Sequence, residues 1–159
     1  MKYKTIPENK MSHWHKWELN RWYKIDGELE ICRNGFHCSN NFIDAMSFVP
    51  PGYVALVEVR GECVKGGNKS VYEEMKIIRW KKWTKKDEIA LTIFAAELVL
   101  PNKFLDDNRP RTAIEEVRIA AASAAESAAE KEETPMASSS KYDEIIQQCH
   151  DFIIERKFK

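Results

Sequence analysis

The sequence predicts an α+β fold: a curved antiparallel sheet in the N-terminal half, packed with helices from the C-terminal half. Three observations predict it. Turn-forming residues fall at short intervals up to Trp83 (Pro7, Asp26-Gly27, Asn34-Gly35, Pro50-Pro51-Gly52, Gly61 and Gly66-Gly67-Asn68), which leaves room for short strands between them. From Thr84 onward the apolar period changes from two to about 3.6 residues. The chain has 159 residues, 43% hydrophobic and 31% charged, enough for one domain with its own core or a small domain with a helical appendage. That composition excludes wholesale disorder and collagen-like repetition.

The first strand pair is expected as a hairpin, Trp22–Ile25 with Leu29–Cys32, around the Asp26-Gly27 dipeptide that supplies positive φ. Ser39 is expected to cap a short helix whose stripe is Phe42, Ile43, Ala45 and Met46, stopped by Pro50-Pro51. Tyr53–Arg60 is almost wholly apolar through Val59, which predicts a strand buried on both faces. Val71–Trp83 is expected to pair with it across the Gly66-Gly67-Asn68 loop. Thr84 with Asp87 and Glu88 reads as a helix N-terminus, followed by Ile89, Ile93, Ala96 and Leu100 on one face. That helix is expected to cover the sheet. Another is expected over 108–133, through the Ala-rich run 120–129, read as a solvent-facing spacer or a docking helix. Tyr142, Ile145, Ile146, Cys149, Phe152 and Ile153 form the stripe of a last amphipathic helix.

The organisation is therefore a β-rich module over 1–83, a helical part over 84–133, a linker over 134–140 and an amphipathic helix over 141–159. The last stripe must dock, in cis or on a second copy. Docking in cis, and so a monomer, is expected, with a dimer through this helix as the alternative.

Formal charge is zero, yet residues 1–83 carry a net +4 and residues 84–159 a net −4. A dipolar molecule of pI near 6.9 lacks the strongly basic balance of a dedicated nucleic-acid binder. Cys32, Cys38, Cys63 and Cys149 include no CxxC pair, so no metal site and no disulfide framework are expected. No apolar run approaches the roughly 20 residues of a membrane span. The opening residues Met1–Glu8 lack a signal-peptide core, so a cytoplasmic location is expected.

Two segments carry chemistry. Met11–Lys24 holds Trp14, Trp17 and Trp22 among Lys16, Arg21 and Lys24. Either the indoles build the sheet's core while the cations snorkel, or the segment is a binding face in which aromatic planes stack and cations hold carboxylates or phosphates. The expected binding residues are Trp14, Trp17, Arg21, Trp22 and Lys24. The second segment, Asn34–Ser39, places His37 and Ser39 at a strand-to-helix junction, where an imidazole and a hydroxyl can bind phosphate or position a substrate. The bland alternative is that His37 satisfies local backbone groups.

Gly27–His37 with its Cys-Arg-Asn-Gly-Phe-His end, then Val57–Glu62, then Leu105–Glu115 with Asp-Asp-Asn-Arg-Pro-Arg ahead of an Ala-rich helix, occur in an order that resembles an uncharacterised family of bacterial, phage and prophage proteins. The resemblance spans roughly residues 20–130 and implies a phage or prophage setting without an established activity. The chain departs from that pattern at Asp107-Asn108-Arg109 and in a shortened Ala-rich region. Gly35–Ser39, the following helix and Tyr53–Val59 are also similar in order to the ADP-ribosyltransferase and RNA 2′-phosphotransferase fold. That similarity implies an NAD-using enzyme with His37 and Ser39 in its pocket and Glu73 or Glu74 as the acidic residue. The reading taken forward is a non-enzymatic, cofactor-free accessory module that binds a host protein, such as a host factor or defence component. The NAD-using transferase and a nucleic-acid-binding module are the alternatives.

Overall fold

The computed structural model describes residues 1–12, 15–98, 122 and 135–159. The chain divides into two compact units, Met1–Trp83 and Thr84–Lys159. In chain order the elements are β1 (Lys2–Ile6), β2 (Met11–Ser12), β3 (His15–Lys16), β4 (Trp22–Lys24), β5 (Phe36–Cys38), α1 (Phe42–Met46), β6 (Tyr53–Lys65), β7 (Ser70–Lys82), α2 (Lys85–Glu97) and α3 (Pro135–Phe158). This is the mixed α+β architecture expected, an antiparallel sheet in the N-terminal half and helices in the C-terminal half. Among the described residues no helix is long and apolar enough to cross a membrane.

The long β6–β7 hairpin is the spine of the first unit. Val54, Ala55, Leu56 and Val57 are all buried, as a strand covered on both faces requires. The sheet runs β1-β6-β7-β4, and β5 also pairs with β7. Two irregularities, at Leu56/Val57 and Arg60/Cys63, bend the hairpin. At the second, Gly61 takes φ +78 beside the Glu73 side chain. One face of the sheet gathers Ile6, Trp17, Tyr23, Phe36, Cys38, Val57, Met75 and Ile77 into the core. The stripe of α1 is buried as expected, but its cap is Asn41, whose side chain accepts from the Asp44 N–H at 2.8 Å.

The hairpin expected around Asp26-Gly27 does not form. Gly27 does take positive φ (+91), but β4 finds its partner in β7, with Trp22 opposite Lys76 and Lys24 opposite Glu74. The Asn34 side-chain amide donates to the carbonyls of Asp26 and Glu28, and Glu30 pairs with Asn34 through both backbone bonds. Leu29–Cys32 is thus held in a loop rather than a strand.

In the second unit the Thr84/Asp87 arrangement is present. The Asp87 carboxylate accepts from the Thr84 N–H at 2.8 Å and from its hydroxyl at 2.5 Å. Among the described side chains of α2, Asp87, Leu91 and Ala95 are buried, whereas Ile89 and Ile93 are about half exposed. The phase differs from the expected stripe because α3 fixes it. Arg156 and Lys157 reach the Asp87 carboxylate at 2.9 and 2.5 Å, and Phe94 stacks on Phe152 at 4.5 Å. The α3 stripe of Ile145, Ile146, Cys149 and Ile153 is buried. Helix α3 starts at Pro135, so residues 135–140 of the segment expected as a linker supply its first turns; proline is tolerated there because the first turn's N–H groups have no intrahelical acceptor. Residues 99–121 and 123–134, with the helix expected over 108–133 and the Asp-Asp-Asn-Arg-Pro-Arg motif, lie outside the described residues apart from Ala122.

Burial pushes the Asp87 carboxyl up, but hydrogen bonds from Lys157, Thr84 and Arg156 outweigh it and hold the group at about 2, below its ordinary 3.8. A depressed carboxyl contributes stability that is complete above the unfolded value and lost as pH falls through the folded one. Asp87→Asn is therefore expected to cost on the order of 2 kcal/mol at neutral pH. In denaturant titrations at several pH values, the gap between the variant and the parent should close between about pH 4 and pH 2.

Candidate functional site

Strand alternation turns Tyr23, Val59 and Met75 toward the core, which leaves Trp22 and Lys24, Glu58 and Arg60, and Glu74 and Lys76 on the opposite face of β4, β6 and β7. These six side chains form two cross-strand rows, Glu58–Lys76–Trp22 and Arg60–Glu74–Lys24. Lys76 pairs with Glu58 at 2.6 Å and Arg60 with Glu74 at 2.6 Å. The Arg60 guanidinium lies 4.1 Å from the Trp22 ring centre and the Lys76 ammonium 5.0 Å, so the half-buried indole is flanked by two cations. Lys24 pairs with Glu73 at 2.9 Å, a hydrogen bond that raises the lysine's pKa and lowers that of Glu73.

The five residues expected to bind separate. Trp17 is a core residue with 1% exposure, edge-on to Tyr23 at 4.9 Å and to Phe36 at 5.3 Å, with its indole N–H donating to Ser12 Oγ at 2.5 Å. It cannot meet a partner. Trp14 lies outside the described residues. Trp22 and Lys24 stand together in the rows, while Arg21 is exposed, 3.3 Å from Glu18 and over the Tyr23 ring. Arg60, Lys76, Glu58 and Glu74 complete the face and were not singled out from the sequence. Their signal was the alternation of charged with apolar residues at Val57–Arg60 and Glu74–Ile77, but pairing them needed the β6–β7 register.

His37 and Ser39 do come together, in the lining of a small half-open cleft of about 40 Å³ whose walls include Tyr3, Thr5, Ala45, Phe48, Val49 and Lys69. His37 is not presented as an unengaged base, since its Nε2 accepts from the Cys32 N–H at 2.9 Å; Ser39 is buried and exchanges both backbone hydrogen bonds with Tyr3. Glu73 lies in the Lys24 pair and Glu74 in the Arg60 pair. Lys69 donates to Cys32 Sγ at 3.0 Å and lies 4.2 Å from the Phe48 ring centre. Behind the β1–β5 wall, the buried Lys4 ammonium donates to the His37 carbonyl at 2.8 Å. Burial pushes Lys4 down to about 8, partly offset by Cys38, so it stays mostly protonated at pH 7.

The thiols offer little nucleophilic chemistry where they are buried: burial pushes Cys38 up to about 11 and Cys149 up to about 12. Among the described residues no three His, Cys, Asp or Glu side chains gather to hold a metal ion.

A family model described as a domain of unknown function, DUF7666, matches residues 1–88. Neither a search of curated proteins nor one of solved structures finds a match.

Proposed function

The chain belongs to the DUF7666 family, whose model covers more than half of it, and from that footing we propose that the β-rich unit is a non-enzymatic binding module for a macromolecular partner. The observation that carries this reading is the Trp22 face: a half-buried indole within cation–π range of both Arg60 and Lys76, beside two cross-strand ion pairs. Such a surface is pre-organised, and Trp and Arg are both among the residues enriched at interface hot spots. Its partner is a protein rather than a nucleic acid, because Glu58, Glu73 and Glu74 interleave with the cations and would repel a phosphate backbone. A phage or prophage accessory protein acting in the bacterial cytoplasm on a host or defence protein is the setting we favour, in keeping with the motif order.

The NAD-using alternative is the weaker one. The cleft at His37 and Ser39 encloses only about 40 Å³, against the roughly 300–1,000 Å³ of ordinary ligand pockets, so it offers little room for a dinucleotide.

The test is quantitative capture from bacterial lysate with matched proteins. Trp22→Ala is expected to weaken retention of a specific partner by about 2 kcal/mol or more, as for aromatic hot spots, with its melting temperature nearly unchanged. Exposed Lys81→Ala, outside the rows, should retain the partner fully. Equal retention by Trp22→Ala and parent would sink the proposal.

A further inference from the structure

The second unit leaves an apolar surface open on α2. The stripe of α3 is buried within the chain, and α2 turns Leu91 and Ala95 inward, so the opposite side of α2 carries Lys86, Ile89, Ala90, Ile93 and Glu97. Ile89 is 50% exposed and Ile93 53%, with Ala90 half-buried between them and Lys86 and Glu97 exposed at the two ends. Both end charges oppose the helix dipole, since a lysine in the first turn and a glutamate in the last each occupy the disfavoured terminus. Neither is relieved nearby. Lys85 pairs with Glu88, whereas among the described residues Lys86 and Glu97 have no ion pair.

We propose that this side of α2 is the interface of a homodimer, packed antiparallel on α2 of a second copy. The stripe is self-complementary in that direction. A two-fold axis midway between Leu91 and Thr92 sets Lys86 opposite Glu97 of the second copy and Ile93 opposite its Ala90, each contact made twice. The small Ala90 lets the helices approach closely and gives the opposing Ile93 a hollow to fill, while Ile89 closes one side. Antiparallel pairing also brings a carboxylate to each helix N-terminus and an ammonium to each C-terminus, which offsets the charges that the isolated helix places wrongly. A parallel pair would set lysine against lysine and glutamate against glutamate. The patch is small beside the roughly 1,200 Å² or more of a stable interface, so the dimer is weak and reversible.

The experiment is sedimentation equilibrium of the intact protein from micromolar to millimolar concentration. A reversible monomer–dimer equilibrium is expected, and Lys86→Glu or Glu97→Lys alone should weaken it about tenfold or more by setting like charges face to face. An equimolar mixture of those two variants should recover association, because every end charge then meets its opposite across the interface. Ile93→Ser should abolish the dimer with its melting temperature nearly unchanged, since the side chain is already half exposed in the monomer. Trp22→Ala should dimerise like the parent, which keeps this result separate from partner capture. A protein that stays monomeric at millimolar concentration would overturn the proposal. So would a dimer that persists in a folded Ile93→Ser variant, or one that both charge reversals leave as tight as the parent's.

Discussion

Trp17→Ala is expected to destabilise the protein by about 3–5 kcal/mol, the range for removing a large aromatic from a core. The ring is 1% exposed and supports the edges of both Tyr23 and Phe36, so its loss leaves a cavity bounded by β4 and β5 rather than a surface that can collapse. The deletion also strips Ser12 Oγ of its indole donor. Chemical denaturation should show the midpoint falling with little change in slope. Trp17→Phe should recover much of the loss, because it restores most of the volume without the N–H. A Trp17→Ala variant as stable as the parent would mean that the indole is not core.

Gly52→Ala is expected to be nearly as damaging for a different reason. A Cβ at position 52 would stand 2.3 Å from the backbone nitrogen of Glu8 and 2.4 Å from its Cα, and backbone cannot rotate aside as a side chain can. Residue 52 is also fixed by hydrogen bonds at both ends, its N–H donating to Ile6 at 2.9 Å and its carbonyl accepting from Trp83 at 2.9 Å. Relieving the overlap must therefore displace the start of β6 from the end of β1, at a cost on the order of 3 kcal/mol. Gly67→Ala is the internal control: nothing lies within 4 Å of its added Cβ, and its effect should stay within about 1 kcal/mol in either direction. A thermal melt of the two variants side by side checks the contrast.

Local chemistry was legible in the sequence, and pairing at a distance was not. The apolar run before Arg60 and the Gly66-Gly67-Asn68 loop announced the β6–β7 hairpin, and Thr84 with Asp87 announced the start of α2, because each depends on residues a few positions apart. Asp26-Gly27 misled for the same reason. Its turn chemistry is real, but β7 outcompetes the local strand for β4. The phase of α2 depended on Arg156 and Lys157, some seventy residues away, reaching Asp87. At the candidate site, Trp17 and Trp22 are indistinguishable by composition. Trp22 is a strand residue of opposite parity to the inward Tyr23, while Trp17 lies just past β3 with its ring turned into the core, so only the register assigns one to solvent and the other to the interior.

The central claim is that the tryptophans of the aromatic-basic segment divide their work, Trp17 holding the fold and Trp22 meeting a protein partner. The measurement that tests it most directly is partner affinity determined together with melting temperature for the parent, Trp17→Phe and Trp22→Ala, using the protein captured most specifically by the parent. The account predicts that Trp22→Ala keeps its melting temperature within a few degrees and loses affinity about thirtyfold, the equivalent of 2 kcal/mol, while Trp17→Phe melts lower and binds with the parent's affinity. Undiminished affinity in a folded Trp22→Ala protein would contradict it.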